Sequence, residues 1–156
     1  MKIRRAVEQD LSGINALLCQ VLEIHHKGRP DLFRPNAKKY TDEQLKAMFY
    51  DESRPIFVAV EEEETVLGYA FCLFQQHLGD PILTDIQTLY IDDLCVDERM
   101  RGRQIGKKLY EHVLSFARQK HCYNVTLNVW CCNESAMRFY EKCGLKPQKI
   151  GMETIL

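Results

Sequence analysis

The chain has 156 residues, of which 46% are apolar and 28% charged, and a formal net charge of −1. That balance describes one globular domain with a core of its own and leaves little room for a second. It excludes a whole-molecule attraction to nucleic acid or to an anionic membrane, and no run of roughly 18 apolar residues is present to span a bilayer. The opening Met1-Lys2-Ile3-Arg4-Arg5 is basic but has no apolar stretch behind it, so a cytoplasmic location is expected. The seven cysteines are Cys19, Cys72, Cys95, Cys122, Cys131, Cys132 and Cys143. Their number is odd and their spacing fits neither a disulfide framework nor a CxxC pair, so they are read as reduced thiols. Cys131-Cys132 with His121 nearby is the one grouping that suggests a metal. Adjacent cysteines rarely both reach one tetrahedral ion and no second pair is available, so no metal is expected.

Lys2 to Val7 reads as a first strand. Leu11, Ile14, Leu18, Val21 and Leu22 recur at helical spacing, which predicts a helix from about Gln9 to His26. Glu8 and Asp10 place negative charge at its N-terminus, and Gly28-Arg29-Pro30 stops it. Asp31 to Tyr40 is a loop. Thr41-Asp42-Glu43-Gln44 has the form of a capping box, and Leu45, Met48 and Phe49 give the short helix behind it one apolar face. From Pro55 the period changes. Ile56 to Val60 and Val66 to Phe74 form a hairpin around an acidic turn at Glu61 to Glu64, followed by a loop from His77 to Asp85. Leu89 to Val96 is again a strand. Ile105, Leu109, Val113, Phe116 and Ala117 mark an amphipathic helix, Asn124 to Trp130 a strand, and Asn133 to Cys143 a helix closed by Gly144. Lys149 to Leu156 is the expected last strand. The order β-α-α-β-β-β-α-β-α-β predicts an α/β (α+β) fold: a mixed, mostly antiparallel sheet of about six to seven strands with helices on both faces.

The most informative segment runs from Ile91 to Lys107, a strand, a turn and a helix start. The first turn of any helix leaves N–H groups without partners, and these suit a phosphate. Gly102 and Gly106 allow close approach of a ligand. Arg99, Arg101, Arg103 and Lys107 concentrate positive charge within nine positions. The ending needed for a Walker A loop is missing, and so is GxGxxG. An ordinary solvated helix start is the competing reading. Arg101-Gly102-Arg103-Gln104-Ile105-Gly106 resembles motif A of the GNAT superfamily of acyl-CoA N-acetyltransferases, Gln/Arg-x-x-Gly-x-Gly/Ala. Arg101 and Gly106 match, and Gln104 replaces the central glycine.

A second block agrees with the first. Asn133, Ala136 and Tyr140 lie at i, i+3 and i+7 on one helix face. The block resembles the family pattern Asn-x-x-Ala-x-x-Phe-Tyr-x-x-x-Gly-Phe: Asn133, Ala136, Phe139, Tyr140 and Gly144 match, and Leu145 stands for the final Phe. Taken alone, Tyr140 would read as a buried tyrosine with a satisfied hydroxyl.

The resemblance implies a single N-acetyltransferase domain over residues 1–156, with acetyl-CoA as cosubstrate. It implies that the turn amides of Arg101, Gly102, Arg103, Gln104, Ile105, Gly106 and Lys107 hold the CoA diphosphate. Leu94, Cys95 and Val96 would pair with the pantetheine arm, and Asn133, Ala136 and Tyr140 would line its path. Tyr140 would be the acid for the CoA sulfur, because a phenol with a pKa of about 10 keeps its proton at neutral pH. An acceptor ammonium must lose a proton before attack, so a base is needed. Ile91-Asp92-Asp93-Leu94 resembles the Leu-Glu-Asp-Phe segment of polyamine N-acetyltransferases, whose Glu lies near the acceptor amine, and this points to Asp92. A solvated carboxylate is the alternative, and His25 and His26 are the other candidates. Asp92 and Asp93, adjacent on a strand, should face opposite sides. The end of the first helix, the Arg29 to Pro35 loop and His77 to Asp85 are expected to shape the acceptor pocket. Partners are then acetyl-CoA and an amine, with no nucleic acid and no membrane, and a homodimer is possible. The competing function is a CoA-binding sensor or assembly module without catalysis.

Overall fold

A computed structural model describes residues 1–61 and 64–156. Glu62 and Glu63, inside the expected acidic turn, lie outside the described residues. The strands are β1 (Lys2–Arg5), β2 (Ile56–Val60), β3 (Val66–Gln75), β4 (Thr88–Val96) and β5 (Asn124–Leu127). The helices are α1 (Leu11–Gly28), α2 (Asp42–Phe49), α3 (Ile105–Gln119) and α4 (Glu134–Lys142). Short 3₁₀ turns precede α1 at Glu8–Asp10 and follow β4 at Glu98–Met100.

Among the described residues the sheet has five strands in the order β1-β2-β3-β4-β5, not the six to seven expected. Among the described residues, Lys149 to Leu156 forms no strand. Every pairing is antiparallel except β4 with β5, which is parallel and reached through α3. A parallel neighbour needs such a crossover, whereas the antiparallel pair β2 and β3 is joined directly as a hairpin. Helices cover both faces, as the sequence predicted. On one face Ile14, Leu17 and Leu18 of α1 and Leu45 of α2 pack with Ile56, Val58, Tyr69, Phe71 and Cys95. On the other, Ile105, Leu109 and Val113 of α3 pack with Phe57, Ala59, Ala70, Leu89 and Ile91.

Local chemistry sets the helix starts. Thr41 caps α2 as a true capping box: the Gln44 N–H donates to Thr41 Oγ1 at 3.2 Å, and the Thr41 N–H donates to Gln44 Oε1 at 2.8 Å. Such a cap is worth about 1 kcal/mol. Before α1, the Arg4 guanidinium grips the buried Asp10 carboxylate with bonds of 2.7 and 3.0 Å, tying β1 to the start of that helix.

Two irregularities of β4 position everything that follows. First, β5 pairs with it only from Thr88–Asn124 to Ile91–Leu127. Beyond Ile91, the β5 side of β4 has no strand beside it among the described residues, although β3 continues along the other side to Val96. Second, Phe71 pairs with Asp93 and Cys72 with Ile91, so Asp92 is an extra residue bulged out of the ladder. A bulge shifts the alternation of faces by one residue.

Candidate active site

The open side of β4 leads directly into the anion-binding turn. Asp97, buried at the end of the strand, organises this turn. Its carboxylate accepts the Arg99 N–H at 3.0 Å and the Arg99 guanidinium at 3.1 and 2.6 Å. The guanidinium bond holds Asp97 well below the usual carboxylate range, at about 2. The chain then passes Gly102 at φ 80° and Gln104 at φ 59° before α3 begins. Gly102 adopts that conformation freely, whereas a residue with a Cβ carries a cost of roughly 1–2 kcal/mol in it. The family's glycine at position 104 thus has a conformational reason, and this chain takes the same backbone path with glutamine. None of the N–H groups from Gly102 to Lys107 has an acceptor among the described residues. Arg101, Arg103 and Lys107 stand exposed around these donors.

Gly106 permits close packing at the same place. A Cβ there would meet the Phe139 ring at 3.3 Å. Its absence lets α4 rest against the first turn of α3. The α4 N-terminus is capped by Asn133, whose Oδ1 accepts the Ala136 N–H at 3.1 Å. Gly144 at φ 91° closes the other end, with the Leu145 N–H returning to the Tyr140 carbonyl at 3.1 Å. Tyr140 follows Phe139 on α4, near enough to β4 for Asp93 and Cys95 to act on its phenol. Its hydroxyl makes no hydrogen bond within the described residues, so the satisfied core tyrosine is not what is found. Burial, reinforced by the charge of Asp93, pushes the phenol well above its ordinary value. It therefore keeps its proton across the neutral range. The Cys95 thiol is pushed up to about 12 by burial and stays protonated as well.

The two aspartates do not face opposite sides. The bulge turns both toward the α1–α2 face. Asp93 accepts from the Tyr69 hydroxyl at 2.8 Å, and burial raises its pKa despite Lys39 and Tyr69. Asp92 is exposed and accepts from Lys39 Nζ at 2.9 Å and from the Tyr40 hydroxyl at 3.3 Å. The Tyr40 ring is stacked on Phe71 with centroids 5.9 Å apart. Lys39, Tyr40 and Tyr69 were not among the residues singled out from sequence; two come from a loop without periodicity, and one reads as an ordinary strand aromatic. His25 and Phe33, from the expected acceptor-shaping segments, meet at 5.0 Å, and Trp130 closes on Phe33 at 5.3 Å. Burial and Lys39 lower the pKa of His25, leaving it neutral. His26 is engaged with the Phe33 carbonyl at 2.7 Å. In the His77 to Asp85 loop the Gly79 and Ile82 N–H groups donate to Asp85 and Asp80, and Gln76 Nε2 donates to the Asp85 carbonyl at 2.8 Å.

The model of the acetyltransferase (GNAT) family matches residues 20–145. Peptidyl-lysine N-acetyltransferase YjaB of Escherichia coli K12 is 30% identical over 146 residues, 94% of this chain and 82% of that protein. Glucosamine 6-phosphate N-acetyltransferase of Arabidopsis thaliana is 40% identical over 63 residues, so the match spans only 40% of each chain. Among solved structures, a mutant of the BH1408 protein from Bacillus halodurans superposes with a TM-score of 0.95 at 34% identity, over 100% of this chain and 99% of that one. The crystal structure of the Arabidopsis enzyme gives 0.72 at 26% identity, over 99% and 97%. No described helix is long and apolar enough to cross a membrane. The chain belongs to the GNAT family of N-acetyltransferases.

Proposed function

We propose that this chain moves the acetyl group of acetyl-CoA onto a primary amine of a small molecule or a peptide, by direct attack in a ternary complex in the reducing cytoplasm. One observation carries the reading: the unpartnered amides from Gly102 to Lys107 lie at the end of an open strand edge that runs past an unbonded phenol. Six adjacent donors at a helix start, ringed by Arg101, Arg103 and Lys107, fit a diphosphate. The unpaired side of Leu94, Cys95 and Val96 fits the amides of a pantetheine arm, which would add to it as a strand does. When bound, acetyl-CoA supplies the acetyl group as an activated thioester.

The residues of the chain do the rest. The diphosphate grip fixes register along β4, so the reacting end comes to rest between Asp92 and Tyr140. Tyr140 holds a proton at neutral pH and gives it to the departing sulfur. Asp92 takes a proton from the acceptor ammonium, directly or through water, once the acceptor displaces Lys39. Cys95 is too strongly protonated to serve as an acetyl carrier, which favours one-step transfer over a cysteine intermediate. The relatives named above act on a lysine side chain and on an amino sugar, both primary amines.

An acceptor screen with acetyl-CoA, reading free thiol, tests the proposal. Tyr140→Phe should lower turnover by about 10²-fold while leaving CoA affinity intact. Unchanged turnover would remove Tyr140 from the acid role. CoA binding with no thiol release from any amine would favour a sensor or assembly module.

A further inference from the structure

Lys39 is the amine already in place. It lies on the segment between α1 and α2, and its Nζ rests 2.9 Å from Asp92 Oδ2. Asp92 is the bulged residue, and the bulge puts its carboxylate on the same face as Asp93. Tyr40 beside it donates to the same Asp92 oxygen and lies flat on Phe71. The ring thus anchors the segment that carries Lys39 on Phe71 of β3. The neighbouring Lys38 behaves differently: it turns away to Asp42 at 2.6 Å and its side chain is 52% exposed, against 31% for Lys39. Lys39 therefore occupies the place that an acceptor ammonium needs, beside the carboxylate proposed to deprotonate it. The titratable groups around Lys39 are Asp92, Asp93 and Tyr90 from β4, Tyr40 at its side, and His25 from α1.

We propose that Lys39 is an internal acetyl acceptor: with acetyl-CoA bound and no external amine present, the chain acetylates its own Lys39. The proposal rests on the functional reading above. The Lys39 ammonium passes one proton to Asp92 and on to solvent. The freed nitrogen lone pair bonds to the acetyl carbonyl carbon, and the carbon–sulfur bond breaks. Tyr140 gives its phenolic proton to the departing thiolate and is reprotonated, through solvent, by the second proton that the nitrogen sheds on becoming an amide. The products are Nε-acetyl-Lys39 and CoA with a free thiol. Acetylation removes the charge of Lys39 and with it the ion pair to Asp92. The carboxylate is then free for an external amine, so self-acetylation would switch the site toward turnover.

The test uses the full chain, acetyl-CoA and no acceptor, with peptide mapping by mass spectrometry over time. The nitrogen must be neutral to react, so labelling should be faster at about pH 9 than at about pH 7. Because the amine is already positioned, Lys39 should be labelled at least roughly tenfold faster than Lys38 or the solvent-exposed Lys27. Its rate should not depend on protein concentration. Tyr140→Phe should slow Lys39 and leave Lys27 unchanged, and Lys39→Arg should abolish the fast label. Lys39 labelled no faster than Lys38, or insensitive to Tyr140→Phe, would overturn the proposal. So would no labelling in a protein that calorimetry shows to bind CoA, and that result would leave the functional reading standing. A protein that fails to bind CoA at all would sink both.

Discussion

Replacing Gly68 by alanine perturbs the open strand edge by a single carbon. Gly68 is buried in β3 and pairs with Val96 of β4. A Cβ there would lie 2.7 Å from the Cys95 carbonyl oxygen, 3.1 Å from Leu109 Cδ1 and 3.3 Å from Val96 Cγ2. The closest of these contacts is with backbone, so no rotamer change relieves it. Either β3 and β4 must part by several tenths of an ångström or β4 must twist. Overpacking of a well-packed core costs about 1–3 kcal/mol, and a backbone contact belongs in the upper half of that range. In a chain of this size each kcal/mol moves Tm by roughly 2–4 °C, which gives a fall of about 4–12 °C by circular dichroism. The same displacement moves the Leu94–Val96 edge, so CoA affinity measured by calorimetry should also drop, by about tenfold, equivalent to about 1.4 kcal/mol. A variant with Tm within about 1 °C of the parent and an unaltered CoA affinity would refute the packing described here.

Other outcomes follow from the same geometry. Gln104→Gly should raise stability by about 0.5–1 kcal/mol, the relief of a left-handed conformation less the entropy of a new glycine. It should leave CoA affinity unchanged, since the backbone donors remain; a loss of affinity would assign the glutamine side chain a binding role. Arg99→Ala acts on Asp97, whose folded pKa of about 2 lies below its unfolded value. Stability from that bond is present above the unfolded pKa and lost as pH falls through about 2. Without Arg99 the acid unfolding midpoint should move to higher pH, and an identical midpoint would contradict this. Tyr69→Phe removes the only side-chain hydroxyl bonded to Asp93 among the described residues, costing about 1–3 kcal/mol. Because burial raises the pKa of Asp93, the ionised form suffers most, and urea unfolding should show a larger loss at about pH 8 than at about pH 5.

Much of this was legible in the residues themselves. The Thr41–Gln44 box, the apolar stripes of α1 and α3 and the Gly144 stop all appear where local chemistry places them. The two motif blocks put a helix start near Ile105 and Tyr140 on the last helix, and both elements are present. Helix propensity and capping are local, and so are readable. The sheet was harder. Val129 and Trp130 continue a strand-like pattern, but β4 and β5 diverge after Ile91 and Leu127, and no local signal records the loss of a neighbour. Nor does composition show that Lys149 to Leu156 lacks a partner strand.

The bulge did leave a trace. Leu89 and Ile91 share one face with Leu94 and Val96, so the apolar spacing runs two, three, two across Ile91-Asp92-Asp93-Leu94. A strict alternation assumed across that step sends the aspartates to opposite faces. The extra residue brings them together instead. The pairing of Lys39 with Asp92 crosses more than fifty residues, and its loop carries no periodicity from which to infer it.

The central claim is that the amides from Gly102 to Lys107 hold the diphosphate of CoA. A titration of the ¹⁵N-labelled chain with CoA, followed by amide chemical shifts, tests it most directly. The largest shifts should fall on Gly102 to Lys107, with smaller ones on Leu94, Cys95 and Val96, and should weaken when a CoA analogue lacking the diphosphate is used. Saturable CoA binding that leaves those six amides unmoved would contradict the account.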